Sequence, residues 1–368
     1  MRKGWTYRKL GEITEYPNRR LKIDQLGPNS FVGVEQLIKD RGGVVFSDAA
    51  PTAESAIAYQ SNDILIGNIR PYLRKIWLAD RSGGASGDIV IIRIREDYTQ
   101  ILDAQYLYKA LSSEQFFDFD NANTKGAKMP RGDRAAIAKY PIPVPPLSEQ
   151  KRIVAELDLL QGIIDMQKAQ LKELDTLAQS IFYDMFGDPE SNSRGWNTMC
   201  LKDICKDLFA GGDVPRGKWS QTKTAEYPIP IISNGIGAKA IYGYTDQARV
   251  FEDCITISGR GTIGHCEIRN EPFFPVVRVI VAIPDTSLIT PIILQAVIAA
   301  LHLKGVGVAI PQLTIPMVKN VPIIIPPLPL QESFSQKVQA IERQKASINA
   351  SIAETQKLFD YTMDKYFG

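Results

Sequence analysis

Four cations fall within ten residues in Lys125-Gly-Ala-Lys-Met-Pro-Arg-Gly-Asp-Arg134. Arg offers a two-pronged fork that suits the O6/N7 edge of guanine, whereas Lys more often meets phosphate as a point charge. A second glycine turn, Gly259-Arg-Gly-Thr-Ile-Gly264, matches the spacing of a dinucleotide-binding loop. That chemistry needs a helix directly after the glycines, to aim its N-terminus at a pyrophosphate. Here His265-Cys-Glu-Ile-Arg-Asn270 leads to prolines and a further apolar run, so the segment reads as a hairpin presenting Arg260 and His265. There is no G-x-x-x-x-G-K-[ST] loop, no H-E-x-x-H pair, and no Asn-Pro-Pro or Asp-Pro-Pro followed by an aromatic, as an amino-methyltransferase would need. Cys200, Cys205, Cys254 and Cys266 lack C-x-x-C spacing, and His265 and His302 are too few to complete a zinc set, so the cysteines read as reduced thiols. The chain reads as non-catalytic, with no cofactor and no metal site of its own.

These turns must be held by something, and a repeat supplies the frame. Sliding the chain by 181 residues lays Pro141-Ile-Pro-Val-Pro-Pro-Leu147 on Pro322-Ile-Ile-Ile-Pro-Pro-Leu328 and Phe186-Gly187 on Phe367-Gly368. The same offset pairs Gly126 with Gly307 and Pro130 with Pro311, but the second copy of the loop, Val306 to Ile315, carries no cation. Each proline run leads into a long helical pattern. Ile153, Leu157, Leu160, Ile164, Leu171, Leu174, Leu177 and Ile181 recur at steps of three, four and seven, as do Phe334, Val338, Ile341, Ile348, Ile352 and Leu358. A rod of roughly 55 Å is too long to lie across one small domain. Either the two rods pair as a coiled coil or each packs on its own domain, and the repeat favours pairing.

Between the rods the chain alternates short apolar runs with turns. Each half opens alike, with Gly4-Trp5 and Leu10-Gly-Glu-Ile13 in the first, Gly195-Trp196 and Leu201-Lys-Asp-Ile204 in the second. Strands are expected at Asp63–Gly67, Ile89–Ile94, Ile229–Ile232, Asp253–Ile257 and Val276–Val281, and helices at Ala104–Ser112 and Pro291–Leu303. The fold class is therefore α/β (α+β), divided into a globular domain 1–146, a rod 147–187, a second globular domain 188–327 and a second rod 328–368. Net charge is only +2, and its positive excess sits in the globular segments. The charged start lacks an apolar leader core, and the longest apolar run, Pro291–Leu301, is too short to span a bilayer, so a cytoplasmic protein with no membrane contact is expected.

Two variable halves, each opening with G-W-x(4)-L-x-[ED]-I and each ending in G-x(3)-P and a proline-led rod, resemble the DNA specificity (S) subunit of type I restriction-modification enzymes. The most specific part is Ile142-Pro-Val-Pro-Pro-Leu-Ser-Glu-Gln-Lys-Arg-Ile153; the second copy departs from it, with Leu330-Gln331 in place of Glu149-Gln150. The resemblance implies two target recognition domains, each reading one half of a gapped site in double-stranded DNA, and an antiparallel coiled coil that sets the spacing. It implies as partners two methyltransferase (M) subunits and, in a restriction complex, restriction/translocase (R) subunits. The side chains expected to face DNA are Asn68, Arg70, Arg74, Lys125, Lys128, Arg131 and Arg134 in the first half. In the second they are Asn234, Lys239, Ser258, Arg260, His265 and Gln312. The competing class is a protein-binding coiled-coil scaffold without DNA specificity; a self-sufficient methyltransferase or nuclease lacks its motifs.

Overall fold

A computed structural model of the chain describes residues 5–27, 29–47, 54–126, 128–305 and 311–368. Gly4, Ala127 and residues 306–310, including the expected partner Gly307, lie outside the described residues. The chain divides into two compact units, residues 1–168 with 350–368 and residues 169–349.

In the first unit a four-stranded sheet runs in the order Thr14–Glu15, Ile89–Ile94, Ile64–Gly67, Ile76–Leu78, antiparallel throughout. Its strands are apolar on both faces because both faces are covered, the period of two sending alternate residues opposite ways. Ile64, Ile66, Val90 and Ile92 meet Leu107, Leu111, Phe116 and Phe117 of the helices Ala104–Leu111 and Glu114–Ala122. Leu65, Ile89 and Ile91 face Val32, Leu37, Tyr59 and Trp77 on the other side. There a second sheet runs Arg20–Lys22, Ser55–Tyr59, Gly83–Ala85, Phe31–Val32.

The second unit repeats the first sheet strand for strand, as Cys205–Ala210, Ile280–Pro284, Cys254–Ile257, Cys266–Arg269, covered by the helix Pro291–Ala300. Its other sheet, Trp219–Ser220, Ile241–Thr245, Ile229–Ile232, Phe274–Pro275, exchanges the last two places. In chain order the strand at the parallel edge of the first unit is the earlier partner, 31–32, and that of the second is the later one, 274–275. The units share the sheet that carries the helices and diverge in the one behind it. One expectation is corrected: the strand expected at Val276–Val281 begins only at Ile280, because Val277 and Arg278 have φ of 53° and 63°, incompatible with extended backbone.

The proline runs are themselves strands. Pro141–Val144 pairs with Thr6–Lys9 and Pro322–Ile325 with Asn197–Cys200, each in an isolated antiparallel ribbon where prolines are tolerated. The rods follow at once, Leu147–Phe186 and Leu328–Phe367, 40 residues each. A buried glutamine fixes each start. Gln150, fully buried, donates from Nε2 to the carbonyls of Ile101 (2.7 Å) and Pro145 (2.8 Å) and accepts at Oε1 from the Asp103 amide (2.8 Å). Its counterpart 181 residues on, Gln331, donates to Leu288 (2.9 Å) and Pro326 (2.8 Å) and accepts from the Thr290 amide (2.9 Å). Asp103 and Thr290 are the N-caps of the covering helices, so one amide ties proline ribbon, domain helix and rod together.

Within each unit the start of one rod runs antiparallel to the end of the other. In the first, Arg152 donates to the Tyr366 hydroxyl (2.9 Å) and Gln167 to Ser351 Oγ (2.7 Å); in the second, Lys345 pairs with Asp175 (2.8 Å) and Phe334 packs on Phe182 and Phe186. The buried and half-buried positions follow alternating steps of four and three: Ile153, Leu157, Leu160, Ile164, Gln167, Leu171, Leu174, Ala178, Ile181 on one rod, and Phe334, Val338, Ile341, Lys345, Ile348, Ile352, Thr355, Phe359 on the other. That is the 3.5-residue repeat of a coiled-coil seam. Leu177 and Leu358, expected in the seam, are 47 % and 51 % exposed and lie one step outside it; Ala178 and Phe359 occupy their places. The rod ends also bury aromatics, Phe367 against Tyr106 in the first unit and Phe186 against Phe334 in the second. Gly187 closes the first rod at φ 75°, where a Cβ would meet Ser193 Oγ.

Replacing Gln331 or Gln150 by Leu strands an amide and carbonyls in a dry site. We expect each variant to lose about 2–4 kcal/mol, read as a lower urea midpoint of the full chain. An unchanged midpoint would mean that water replaces the side chain without loss.

Candidate nucleic-acid interface

In the first unit, Arg70-Pro71-Tyr72-Leu73-Arg74 forms a tight turn whose two arginines are both left-handed, at φ 53° and 51°. It docks on a second such turn: the amides of Asp40 (φ 55°) and Arg41 (φ 62°) donate to the carbonyls of Leu73 and Arg74, each at 2.9 Å. Four left-handed residues with side chains are unfavourable locally, so the docking holds the turn. On its other side lies the cationic loop. The Arg70 amide donates to Pro130 O (2.8 Å), the Gly132 amide to Asn68 O (3.1 Å), and Lys125 and Arg131 exchange backbone bonds of 2.8 and 2.9 Å. All seven residues expected to face DNA in this half therefore lie on one pair of adjoining segments.

Their side chains are not equivalent. Arg74 is held by Glu114 (2.7 Å), which also holds Arg41 (3.0 Å); Lys125 is held by Asp133 (2.6 Å) and Arg131 by Asp88 (3.0 Å). Arg134 donates to the carbonyls of Gly87 and Ile89 (3.1 and 3.2 Å), so it braces the loop from behind. Arg70 and Lys128 are exposed, and no ion pair among the described residues engages them. Beneath the loop, both carboxylate oxygens of Asp120 and the Oδ1 of Asn68 are buried without a hydrogen-bond partner among the described residues. A Cβ on Gly132 would lie 2.5 Å from Asp120 Oδ1 and 2.9 Å from Asn68 Oδ1, so any larger residue there would have to displace these two side chains. Burial pushes the Asp120 carboxyl up to about 6, and burial likewise raises Tyr16, whose hydroxyl donates to Arg134 O (2.9 Å).

The second unit builds the matching surface differently. Asn234 is a cross-brace: its Oδ1 accepts from the Gly259 and Arg260 amides (2.7 and 3.3 Å) and its Nδ2 donates to Val277 O (2.7 Å). Ser258 is buried, 4 % exposed, and accepts from the Gly235 amide. His265 contacts Glu267 (3.0 Å), which also takes Arg269 (2.6 Å) and the Gly237 amide (2.6 Å). Burial opposes ionisation of Glu267, but that amide, His265 and Arg269 together hold its carboxyl below the usual range. Asn234, Ser258 and His265, expected to face DNA, are thus engaged within the protein. Lys239 is exposed. Arg260 Nε donates to Gln312 Oε1 (3.1 Å), and so does Nη1 of Arg278 (2.9 Å), a residue that sequence reasoning missed. Nothing in residue type announces a left-handed arginine inside an apolar run. Arg41, Tyr72 (53 % exposed at the turn tip) and Asp88 were also missed, because only the folded turns bring them beside the cationic loop.

Cys254 and Cys266 are buried and Cys200 and Cys205 half-buried, all unpaired; burial pushes Cys205, Cys254 and Cys266 up to about 12, which keeps them as thiols. No group of acidic, His and Cys side chains able to hold a metal occurs among the described residues, and no helix there is long and apolar enough to cross a membrane.

A twice-built sheet-and-helix unit with cationic turns beside the root of a rod defines a class that comparison identifies. The family described as type I restriction modification DNA specificity domain matches residues 2–176 and again 193–356, and the chain belongs to it. A putative type I specificity subunit of Mycoplasma pneumoniae is 28 % identical over 285 residues, covering 77 % of this chain and 75 % of that one. The EcoDI specificity subunit of Escherichia coli is 26 % identical over 209 residues, 55 % of this chain and 42 % of that one. The fold is shared with a crystal structure of the type I restriction-modification S subunit from M. genitalium, at 14 % identity and a TM-score of 0.59 over 99 % of this chain and 96 % of that one. A chain from a structure of type I R-M complex assembly superposes with a TM-score of 0.60 at 21 % identity, covering 99 % and 97 %.

Asp120 yields a pH signature. Its folded pKa lies above its unfolded value of 3.8, so the stability that it contributes is full below about pH 4 and is lost as pH rises through about 6. Asp120→Asn should therefore gain on the parent by about 1 kcal/mol between pH 5 and pH 8, measured by urea titration at each pH. A constant difference across that range would show that the carboxylate is solvated.

Proposed function

We propose that this chain is the non-catalytic DNA-sequence-specificity subunit of a type I restriction-modification complex, each globular half reading one half of a gapped bipartite site. The observation that carries this is the repetition of an exposed cationic turn surface in both units. Each surface abuts the loop that leads through a proline ribbon into a rod, and each rod is fixed at its start by the same buried glutamine. On this reading 1–146 and 188–327 are the target recognition domains and 147–187 and 328–368 the spacer, acting in the cytoplasm. The partners are two methyltransferase subunits, which do the chemistry, and restriction/translocase subunits. Exposed apolar residues of the rods in the first unit, Leu159, Met166, Leu358 and Tyr361, support docking of a partner chain there.

The two halves should read different sequences. In the first unit Arg131 is neutralised by Asp88; 181 residues on stands Gln312, a neutral amide approached by two arginines.

The spacing claim follows from helix geometry. At 1.5 Å per residue, one heptad inserted in each rod, after Lys168 and after Asn349, keeps the seam in phase and adds about 10 Å, or about three base pairs. The expected outcome is a methylated adenine motif with both half-sites intact and a gap longer by about three base pairs. An unchanged gap would remove the rods from the spacing role.

A further inference from the structure

Arg260 and Arg278 converge on one atom. Both donate to Gln312 Oε1, at 3.1 and 2.9 Å, and no carboxylate among the described residues pairs with either guanidinium. Every arginine on the matching face of the first unit except Arg70 has an acidic or carbonyl partner. Two like charges gathered without a counter-ion are unfavourable in the free protein and call for an acceptor-rich ligand.

The backbone is strained to achieve it. Val277 and Arg278 are consecutive left-handed residues with side chains, and Val277 is β-branched, the least tolerant type. The turn is clamped on three sides, by Val277 and Arg278 amides donating to Gly212 (2.9 Å) and Gly211 (3.2 Å), by Val276 N to Ile232 O (2.8 Å), and by Asn234 Nδ2 on Val277 O (2.7 Å). Strain so thoroughly held in place marks a functional position. What it secures is orientation: with Nη1 of Arg278 fixed, its Nε and Nη2 edge is left as a fork of set direction, and with Nε of Arg260 fixed, its two terminal nitrogens are left. A fork of set direction is what bidentate pairing with a base edge requires, and the motif change measured below separates that from bidentate pairing with phosphate.

We infer that Arg278 and Arg260 form a two-arginine reader of guanine O6/N7 edges in the half-site taken by the second unit, with Gln312 as their positioning residue and not itself an adenine reader. This rests on the DNA-specificity reading above and names what that face recognises. Gln312 cannot make the acceptor half of a bidentate adenine contact while its only side-chain oxygen takes two guanidinium bonds.

The test maps methylated adenines in cells that carry the full chain with its methyltransferase, comparing the parent with Arg278→Lys, Arg278→Ala, Gln312→Ala and, as a marker of the first half-site, Arg70→Ala. Arg278→Lys and Arg278→Ala should lower discrimination for guanine at one position of one half-site by about 5- to 150-fold. The half-site altered by Arg70→Ala should stay intact in them, which also reports that the chain is folded. Gln312→Ala should blur the same guanine and a second one beside it. The inference is overturned if the affected half-site contains no guanine, or if methylation falls equally at all sites with the motif unchanged, which would make these arginines phosphate contacts. Absence of any bipartite motif with the parent chain would instead sink the DNA-specificity reading itself.

Discussion

A primary amide buried at the first turn of each rod is the interaction on which the rest depends. Gln150 and Gln331 each satisfy both donors and the acceptor internally, joining three elements that no apolar contact could hold in register. A leucine there would pack but would not specify direction. A fully satisfied buried amide fixes how a rod leaves its domain, at a site where a half-satisfied one would be destabilising. The proposed spacing role requires this rigidity, because any swivel at the root would blur the distance carried by the helix.

Around that fixed root the two units keep a frame and vary a surface. The sheet that supports the covering helices has the same strand order in both, while the sheet behind it exchanges two strands. At equivalent turns the first unit sets Arg131 against Asp88 and the second sets Gln312 against Arg278. The contact between turn and loop persists, but the charge it leaves for a ligand does not. Under the proposed function, such an arrangement lets one scaffold carry unlike recognition chemistries.

Much of this was legible in the sequence, for identifiable reasons. The rods showed themselves through periodicity and the repeat through proline and glycine, which constrain backbone directly. Leu177 and Leu358 misled because a three-or-four spacing is satisfied by residues beside the seam as well as in it; the strict heptad places the small Ala178 inward instead. The helix Glu114–Ala122, rich in Phe, Asp and Asn, carried no strong helical preference and forms because Ser113 caps it and Phe116 and Phe117 are buried. Candidate readers were separable only in three dimensions. Asn234, Ser258 and Arg134 have the chemistry to meet a base, yet they face neighbouring loops, and Arg278 sits where hydrophobic patterning predicts strand.

The most direct test of the central claim is a base-resolution map of methylated adenines in cells with the cognate methyltransferase, with and without this chain. The account predicts a gapped two-part motif that vanishes when the chain is removed. A methylation pattern that does not change on its removal would contradict a specificity role and leave a scaffold that joins proteins through its rods.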